Sequence, residues 1–241
     1  MKTQPRPTSH NLADVDVVIL AGGLGTRLRS VVSDRPKALA DIGGRPFLDI
    51  LIEQLSAVQA PRIVLSVGYL KEQIKAQYAK QGVFFAEEET PLGTGGGLKN
   101  AYQLLEHDRV LVMNGDSWFS HPIDLAAFQE FHMSKNALVS MLLSRPRSEK
   151  DYGAVLLADD SKIRGFNEKN QKIESEHFMN AGVYMMDKRA FNLMPEGAFS
   201  LENDFFPKLV GKNFYGFPID AELVDIGTPE RYANAEKIFF S

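Results

Sequence analysis

The sequence contains no cysteine, and this one absence excludes disulfides, thiolate metal sites and a cysteine nucleophile. Long apolar runs are also missing. Nothing approaches the roughly 18 consecutive apolar residues of a membrane span, and residues 1–14 hold no apolar segment of signal-peptide length, so they are expected to form a flexible tail. Basic charge does not dominate: 27 Lys and Arg stand against 31 Asp and Glu, a formal net charge of -4. The chain therefore lacks the overall field that draws a protein to a nucleic-acid backbone, and any anion it takes must be held locally. No internal repeat is present, in particular no hexapeptide β-helix repeat. Together these absences lead to the expectation of a cytoplasmic protein that binds neither membrane nor nucleic acid.

What is present suits a large buried core, with 44% hydrophobic residues in a chain of 241. Val15–Leu20 is a nearly continuous apolar run that breaks at Ala21-Gly22-Gly23, as a buried parallel strand does on entering a loop. A helix over residues 47–58 and a strand over Arg62–Val67 follow. Then come a helix over 70–80, a strand over 83–86, a helix over 96–105 and a strand over Arg109–Asn114. This alternation predicts an α/β fold: a single Rossmann-like domain with a mostly parallel central sheet and helices on both faces. Beyond Asn136 the texture changes, and shorter strands over 137–143, Ala154–Leu157 and 162–167 are expected to cover the substrate. A strand over 180–186, a helix over 201–210, a strand over 222–225 and a helix over Pro229–Phe239 complete the chain. Residues 15–241 are thus read as one domain. Its two parts are residues 15–135 and a smaller β-rich region with the C-terminal elements over 136–241.

The segment from Leu20 through Ala21, Gly22, Gly23, Leu24, Gly25, Thr26 and Arg27 to Leu28 follows the first strand, where a parallel sheet offers a ligand crevice. Its glycines let main-chain N–H groups approach a phosphate, and Arg27 adds a permanent forked donor. A structural glycine turn would read the same way. The spacing is wrong for a dinucleotide loop, since Leu28 stands three residues after Gly25, and the Gly-Lys-Ser/Thr of a P-loop is absent. Arg27, Arg29, Arg35 and Lys37, diluted only by Asp34, gather positive charge just beyond. Asn114-Gly115-Asp116 and Asp225-Ile226-Gly227-Thr228 each close an apolar strand. Two carboxylates in one crevice, Asp116 and Asp225, suit Mg2+, which completes its shell with phosphate oxygens and water. Either Asp alone could equally be a cap or turn residue.

Gly-Gly-x-Gly-Thr-Arg-Leu at Gly22 to Leu28, followed by Pro36-Lys37, resembles the signature of the sugar-1-phosphate nucleotidyltransferases, or nucleoside-diphosphate-sugar pyrophosphorylases. Gly115-Asp116 and Asp225-x-Gly227-Thr228 are similar to that family's two metal-ligand positions. The resemblance implies nucleotide contacts at Leu20, Ala21, Gly22, Gly23, Gly25, Thr26, Arg27, Lys37, Glu88, Pro91, Gly93, Thr94 and Asp116. It also implies catalytic roles for Arg27, Lys37 and Asp116, and Mg2+ on Asp116 and Asp225. Sugar-phosphate contacts are implied at Glu168, Lys169, Asn180 and Gly182, with Tyr152, Gly153 and Glu202 as weaker candidates, so that residues 15–135 are expected to be mainly nucleotide-binding and the β-rich part of 136–241 mainly sugar-binding.

The run Glu87-Glu88-Glu89 leads into the family's base-contacting Pro91-Leu92-Gly93 loop, and Thr94 is also expected as a helix cap. A carboxylate suits the paired N1–H and amino donors of guanine, so Glu88 points to GTP. Arg29-Ser30-Val31-Val32-Ser33-Asp34-Arg35 departs from the Pro-Leu-Thr continuation of many relatives. It is most similar to the guanylyltransferases that act on D-glycero-D-manno-heptose 1-phosphate, which supply surface polysaccharides. A hexose 1-phosphate used with GTP, UTP or dTTP stays open, as does a non-catalytic nucleotide-sugar sensor. The five histidines show no metal-ligand spacing and are read as surface or structural.

Overall fold

The computed structural model describes residues 12–56, 58–145, 154–167 and 178–239. Strand β1 (Val15–Leu20) starts the domain, followed by a small hairpin, β2 (Asp41–Ile42) and β3 (Arg45–Pro46). Next come α1 (Phe47–Ser56), β4 (Arg62–Val67), α2 (Lys71–Tyr78), β5 (Phe84–Glu87) and α3 (Gly93–Ala101). The middle of the chain forms β6 (Arg109–Asn114), β7 (Ser117–Phe119), α4 (Leu125–Ser134) and β8 (Val139–Ser144). Strands β9 (Ala154–Leu157), β10 (Ile163–Asn167) and β11 (Phe178–Asp187) follow. A wide helical turn at Leu201–Phe205 runs into α5 (Phe206–Leu209), and β12 (Phe214–Pro218), β13 (Leu223–Asp225) and α6 (Pro229–Phe239) end the described chain.

The main sheet has nine strands in the order β10-β9-β11-β6-β1-β4-β5, with β8 also on β11 and β12 on β8. β6, β1, β4 and β5 run parallel, as their continuous apolar runs require of strands covered on both faces. Alternate residues of β1 serve opposite sides. Val15, Val17 and Ile19 join the core under α1, α2, α4 and α6, while Val18 joins Leu98 and Ala101 of α3 and Phe206 and Leu209 of α5. The strands expected as a cover over the substrate instead extend this same sheet through antiparallel β11.

β11 forks. Its residues Val183 to Asp187 pair with β6, whereas Phe178 and Met179 pair with β9. Between them the register against β8 shifts from Asn180 to Tyr184, and Gly182 adopts φ +73°. Asn180 Oδ1 accepts from Gly182 N at 2.9 Å and closes this bulge. The fork opens the sheet beside the end of β6. Fully buried Asp16 fixes the approach to β6 by accepting from the backbone N–H of Glu106 and His107 at 2.6 and 2.8 Å.

One expectation fails at α3. The helix begins at Gly93 with no side-chain cap, so Thr94 lies inside its first turn. Its hydroxyl donates to Glu202 at 2.7 Å and accepts from Leu201 N at 2.9 Å, tying α3 to the 200–205 segment. The earlier start overrides glycine's poor helix propensity through packing: a Cβ at Gly95 or Gly96 would collide with the Phe199 ring or the Gly197 carbonyl.

Candidate active site

A cleft of about 440 Å3 lies at the carboxyl ends of β1, β4 and β6. Every residue that the resemblance assigns to the nucleotide, from Leu20 to Asp116, lines it. Leu24, Gly115 and Gly227 from the motifs line it as well, as do Ala38, Ser66 and Asn114, to which the resemblance gave no role. Ser66 and Asn114 sit at or beside strand carboxyl ends, the position from which they were recognisable.

The cluster of four cations seen in the sequence separates in space. Arg35 pairs with Asp34 at the surface, and Arg29 lies over the Tyr69 ring at 4.7 Å. Arg27 and Lys37 line the cleft. Lys37 begins a short helical turn, Lys37–Leu39, whose buried Ala38 and Leu39 turn its side chain inward, and Lys37 Nζ donates to Asp116 Oδ2 at 2.6 Å.

Asp225 arrives from the far end of the chain because β13 pairs with β7. This places Asp225 opposite Ser117, and Ile226 N donates to Asp116 O at 3.0 Å. β7 is itself held by Trp118, the single tryptophan, which packs edge-on against Phe47 at 5.2 Å. Burying side chains of this size stabilises by about 1.5–3 kcal/mol each, so the carboxylates rest on a firm floor. A Cβ placed on Gly227 would lie 2.8 Å from Asp225 Oδ1, 3.6 Å from Lys37 Nζ and 3.9 Å from Arg27 Nη2. Two cations and a carboxylate thus converge within 4 Å of one point at the cleft edge.

Asp225 also faces a neighbouring depression of about 960 Å3, where Arg231 Nη1 approaches its Oδ2 at 3.3 Å. Sequence reasoning missed Arg231. Its signal was a basic residue in the first turn of the helix that follows Asp225-x-Gly-Thr.

The acidic run also divides. Glu87 pairs with Lys75 and Lys71 at 2.9 and 3.3 Å, and Glu89 pairs with Lys71 at 2.6 Å, all on the α2 side. Glu88 alone lines the cleft, and it is buried. Its Oε2 accepts from Leu92 N at 2.9 Å and its Oε1 from Ser66 Oγ at 3.2 Å. A Cβ at Gly22 or Gly97 would fall 2.6 or 2.7 Å from Oε1, so both glycines are needed for the carboxylate to fit. An ionised carboxylate offers about four acceptor positions, which leaves about two beyond these internal bonds.

On the β11 side, Asn180, Gly182 and Glu202 come together. Asn180 Nδ2 donates to Tyr184 Oη at 2.9 Å, Tyr184 Oη lies 3.5 Å from Glu202 Oε1, and Glu202 Oε2 accepts from Ser200 Oγ at 2.8 Å. Burial and then the Glu202 charge push the Tyr184 phenol well above its ordinary range, so it stays a neutral link. Tyr184 is a further member that the sequence did not mark. Tyr152, Gly153, Glu168 and Lys169 lie outside the described residues.

Among the described residues no cluster of three or more His, Asp or Glu could hold a metal by itself. Asp116 and Asp225 sit on backbone segments joined by the Ile226 N to Asp116 O bond, and carboxylates are the donors that would suit Mg2+ arriving with phosphate oxygens of its own. Two of the described histidines are engaged elsewhere: His132 is buried against Ser140 Oγ at 2.9 Å, and His107 bonds Asp16 at 2.8 Å.

Residues 16–239 match the family model described as nucleotidyl transferase. The chain is 37% identical over 229 residues to the D-glycero-alpha-D-manno-heptose 1-phosphate guanylyltransferase of Aneurinibacillus thermoaerophilus, covering 92% of this chain and 97% of that protein. It is 31% identical over 227 residues to the mannose-1-phosphate guanylyltransferase of Mycobacterium tuberculosis, covering 90% of this chain but 62% of that longer protein. Its fold is similar to the crystal structure of HddC from Yersinia pseudotuberculosis, with a TM-score of 0.82 and 36% identity over 93% of this chain and 99% of that one. A second crystal structure of that protein is complexed with GMP-PN, with a TM-score of 0.81 and 35% identity over the same shares.

Proposed function

Because the chain belongs to the nucleotidyl transferase family, we propose that it is a sugar-1-phosphate guanylyltransferase, joining GTP to D-glycero-α-D-manno-heptose 1-phosphate and releasing pyrophosphate. The observation that carries this reading is the convergence of Arg27, Lys37 and Asp225 on one point beside a glycine-lined cleft. An oxygen of the sugar phosphate attacks the α-phosphorus in line. A new P–O bond forms as the bond to the β-phosphate oxygen breaks, and pyrophosphate leaves with the electron pair. The nucleophile is already an anion, so no side chain need remove a proton from it. Arg27 and Lys37 orient the triphosphate and neutralise charge that builds on the leaving pyrophosphate. Asp116 and Asp225 hold Mg2+, which when bound offsets phosphate charge as a Lewis acid.

GTP is favoured by Glu88, the one carboxylate of the Glu87–Glu89 run that lines the cleft, whose spare acceptor positions suit guanine N1–H and N2–H. It is favoured too by the GMP-PN complex of a protein 35% identical to this chain. Heptose is preferred to mannose because the 37% identity to the Aneurinibacillus thermoaerophilus heptose enzyme extends over 97% of that protein, whereas the 31% identity to the Mycobacterium tuberculosis mannose enzyme extends over 62% of it. The sugar phosphate lies toward Asn180, Gly182 and Glu202, with Lys169 on its phosphate. The nucleotide sugar then serves surface polysaccharide synthesis in the cytoplasm. No helix among the described residues is long and apolar enough to cross a membrane.

The test is pyrophosphate release across GTP, ATP, UTP, dTTP and CTP, each crossed with heptose, mannose and glucose 1-phosphates, with and without Mg2+. Magnesium-dependent release that needs both GTP and the heptose phosphate is expected. Nucleotide-sugar binding with no release from any pair would identify a sensor instead.

A further inference from the structure

Among the described residues, Arg45 Nε, Arg109 Nε, Ser144 Oγ and Asn114 Oδ1 are buried without a hydrogen-bond partner. Of these, only Asn114 lines the cleft. A buried carbonyl oxygen with no donor destabilises the ligand-free protein, so its retention in a cleft calls for a partner that arrives with the ligand.

The position of Asn114 is tightly set. It ends β6 opposite Leu20 of β1, two residues before Asp116. Its carboxamide packs against the forked part of β11, where a Cβ on Gly182 would lie 2.7 Å from Asn114 Nδ2 and 3.1 Å from Cγ. The Asn180 bond to Gly182 N holds that backbone in place against the carboxamide, whose oxygen is left without a partner. It stands at the border between the glycine loop and the Asn180–Glu202 group.

The missing partner must be a donor. Ionised phosphate oxygens only accept, which rules out the triphosphate and the sugar phosphate group. The guanine N1–H and N2–H face Glu88, so the donors that remain on the substrates are hydroxyls, on the sugar ring and on the nucleotide ribose. We propose that Asn114 is a specificity-determining residue whose Oδ1 accepts from one ring hydroxyl of the sugar 1-phosphate. The contact with β11, on the side away from the glycine loop, favours the sugar ring over the ribose. The assignment rests on the guanylyltransferase reading.

The experiment compares the wild type with Asn114→Leu, close in volume but without the amide, and with Asn114→Ala, which adds no methyl against Gly182. Steady-state kinetics use the parent sugar 1-phosphate, its monodeoxy analogues, GTP and 2′-deoxy-GTP. Thermal melting of the ligand-free proteins is measured alongside. In both variants kcat/KM for the sugar phosphate is expected to fall roughly 10- to 100-fold while KM for GTP stays within about twofold. One monodeoxy sugar should be at least about tenfold worse than the parent for the wild type and equal to it for both variants. Asn114→Leu should melt no lower than the wild type, since it removes an unpaired buried acceptor. Deoxy-sugar penalties that persist undiminished in both variants overturn the assignment, as does an effect on 2′-deoxy-GTP discrimination alone. A wild type that releases no pyrophosphate with any sugar phosphate overturns the transfer reading and this assignment together.

Discussion

Glu88→Gln tests the origin of base preference with little disturbance of the fold. In the ligand-free protein the Glu88 carboxylate accepts from Leu92 N and Ser66 Oγ. A glutamine can keep its oxygen on Leu92 N, and the Ser66 hydroxyl, both donor and acceptor, can turn to accept from the new NH2. The internal network therefore survives, and the melting temperature should shift by no more than a few degrees. The cost falls on the ligand. Guanine N1–H and N2–H would meet one acceptor and one donor in place of two acceptors.

Hydrogen bonds to a charged group contribute about 1.5–3 kcal/mol, and each 1.36 kcal/mol is tenfold in rate, so kcat/KM for GTP should fall roughly 10- to 150-fold. UTP, which cannot use the paired acceptors, should be nearly unaffected, and the GTP/UTP ratio should contract by the same factor. The assay is pyrophosphate release at subsaturating nucleotide with heptose 1-phosphate held at saturation. Glu87→Gln and Glu89→Gln serve as controls, because both side chains point to the lysines of α2. A Glu88→Gln protein that keeps the wild-type GTP/UTP ratio would refute the assignment and move discrimination to the main chain near Pro91.

Other perturbations address separate parts of the site. Asp116→Asn should remain folded, since its partly exposed pair with Lys37 is worth no more than about 1 kcal/mol, yet lose at least about 100-fold in kcat; near-normal turnover with an unchanged Mg2+ requirement would count against the metal role. Gly23→Ala should leave the melting curve unchanged, because a Cβ there meets nothing within 4 Å, but raise KM for GTP about tenfold or more by filling space meant for phosphate; unchanged GTP kinetics would mean that loop is only a turn. Burial holds the His132 imidazole down at about 4, against an ordinary 6.5. As pH falls from 6.5 toward 4 the unfolded chain takes up a proton that the folded chain refuses, so stability present above 6.5 is progressively lost, by on the order of 3 kcal/mol in total. The favoured carboxylates Asp14 and Asp187 act below 3.8, outside this window, so denaturant melts of His132→Asn should show a flatter profile between pH 6.5 and 4.5, and an identical slope would contradict the burial argument.

Much of the fold was legible because buried parallel strands write themselves as apolar runs. Val15–Leu20, Arg62–Val67, Arg109–Asn114 and Ala154–Leu157 have the bounds their composition suggests, and α6 spans Pro229–Phe239 as expected. β12 was not legible, because Gly216 and Pro218 are turn-forming residues; the strand lies along β8, and on its other side Gly216 N donates to Ser161 O at 2.9 Å. In the site, the glycine loop with Arg27 and Lys37 could be named from local order. Glu88 was named through the family resemblance; local order alone does not separate it from Glu87 and Glu89, because that depends on where the lysines of α2 lie. Tyr184 and Asn114 were hidden for a similar reason. Each matters through contacts made across strands, with Glu202 and Gly182 respectively.

The fork in β11 makes that strand a crossbeam between the two halves of the cleft. Sliding the β9 side against the β6 side would require breaking ladder hydrogen bonds at residues 178–179 or 183–187. The span from Asp116 to Asn180 is therefore set by strand geometry, at about 3.3 Å per residue, and not by a hinge. Sequestering the substrates from water falls to loops and side chains alone. Such a frame should turn over inside a crystal lattice that leaves those loops unhindered, and a viscous solvent should slow it no more than it slows diffusion of the substrates.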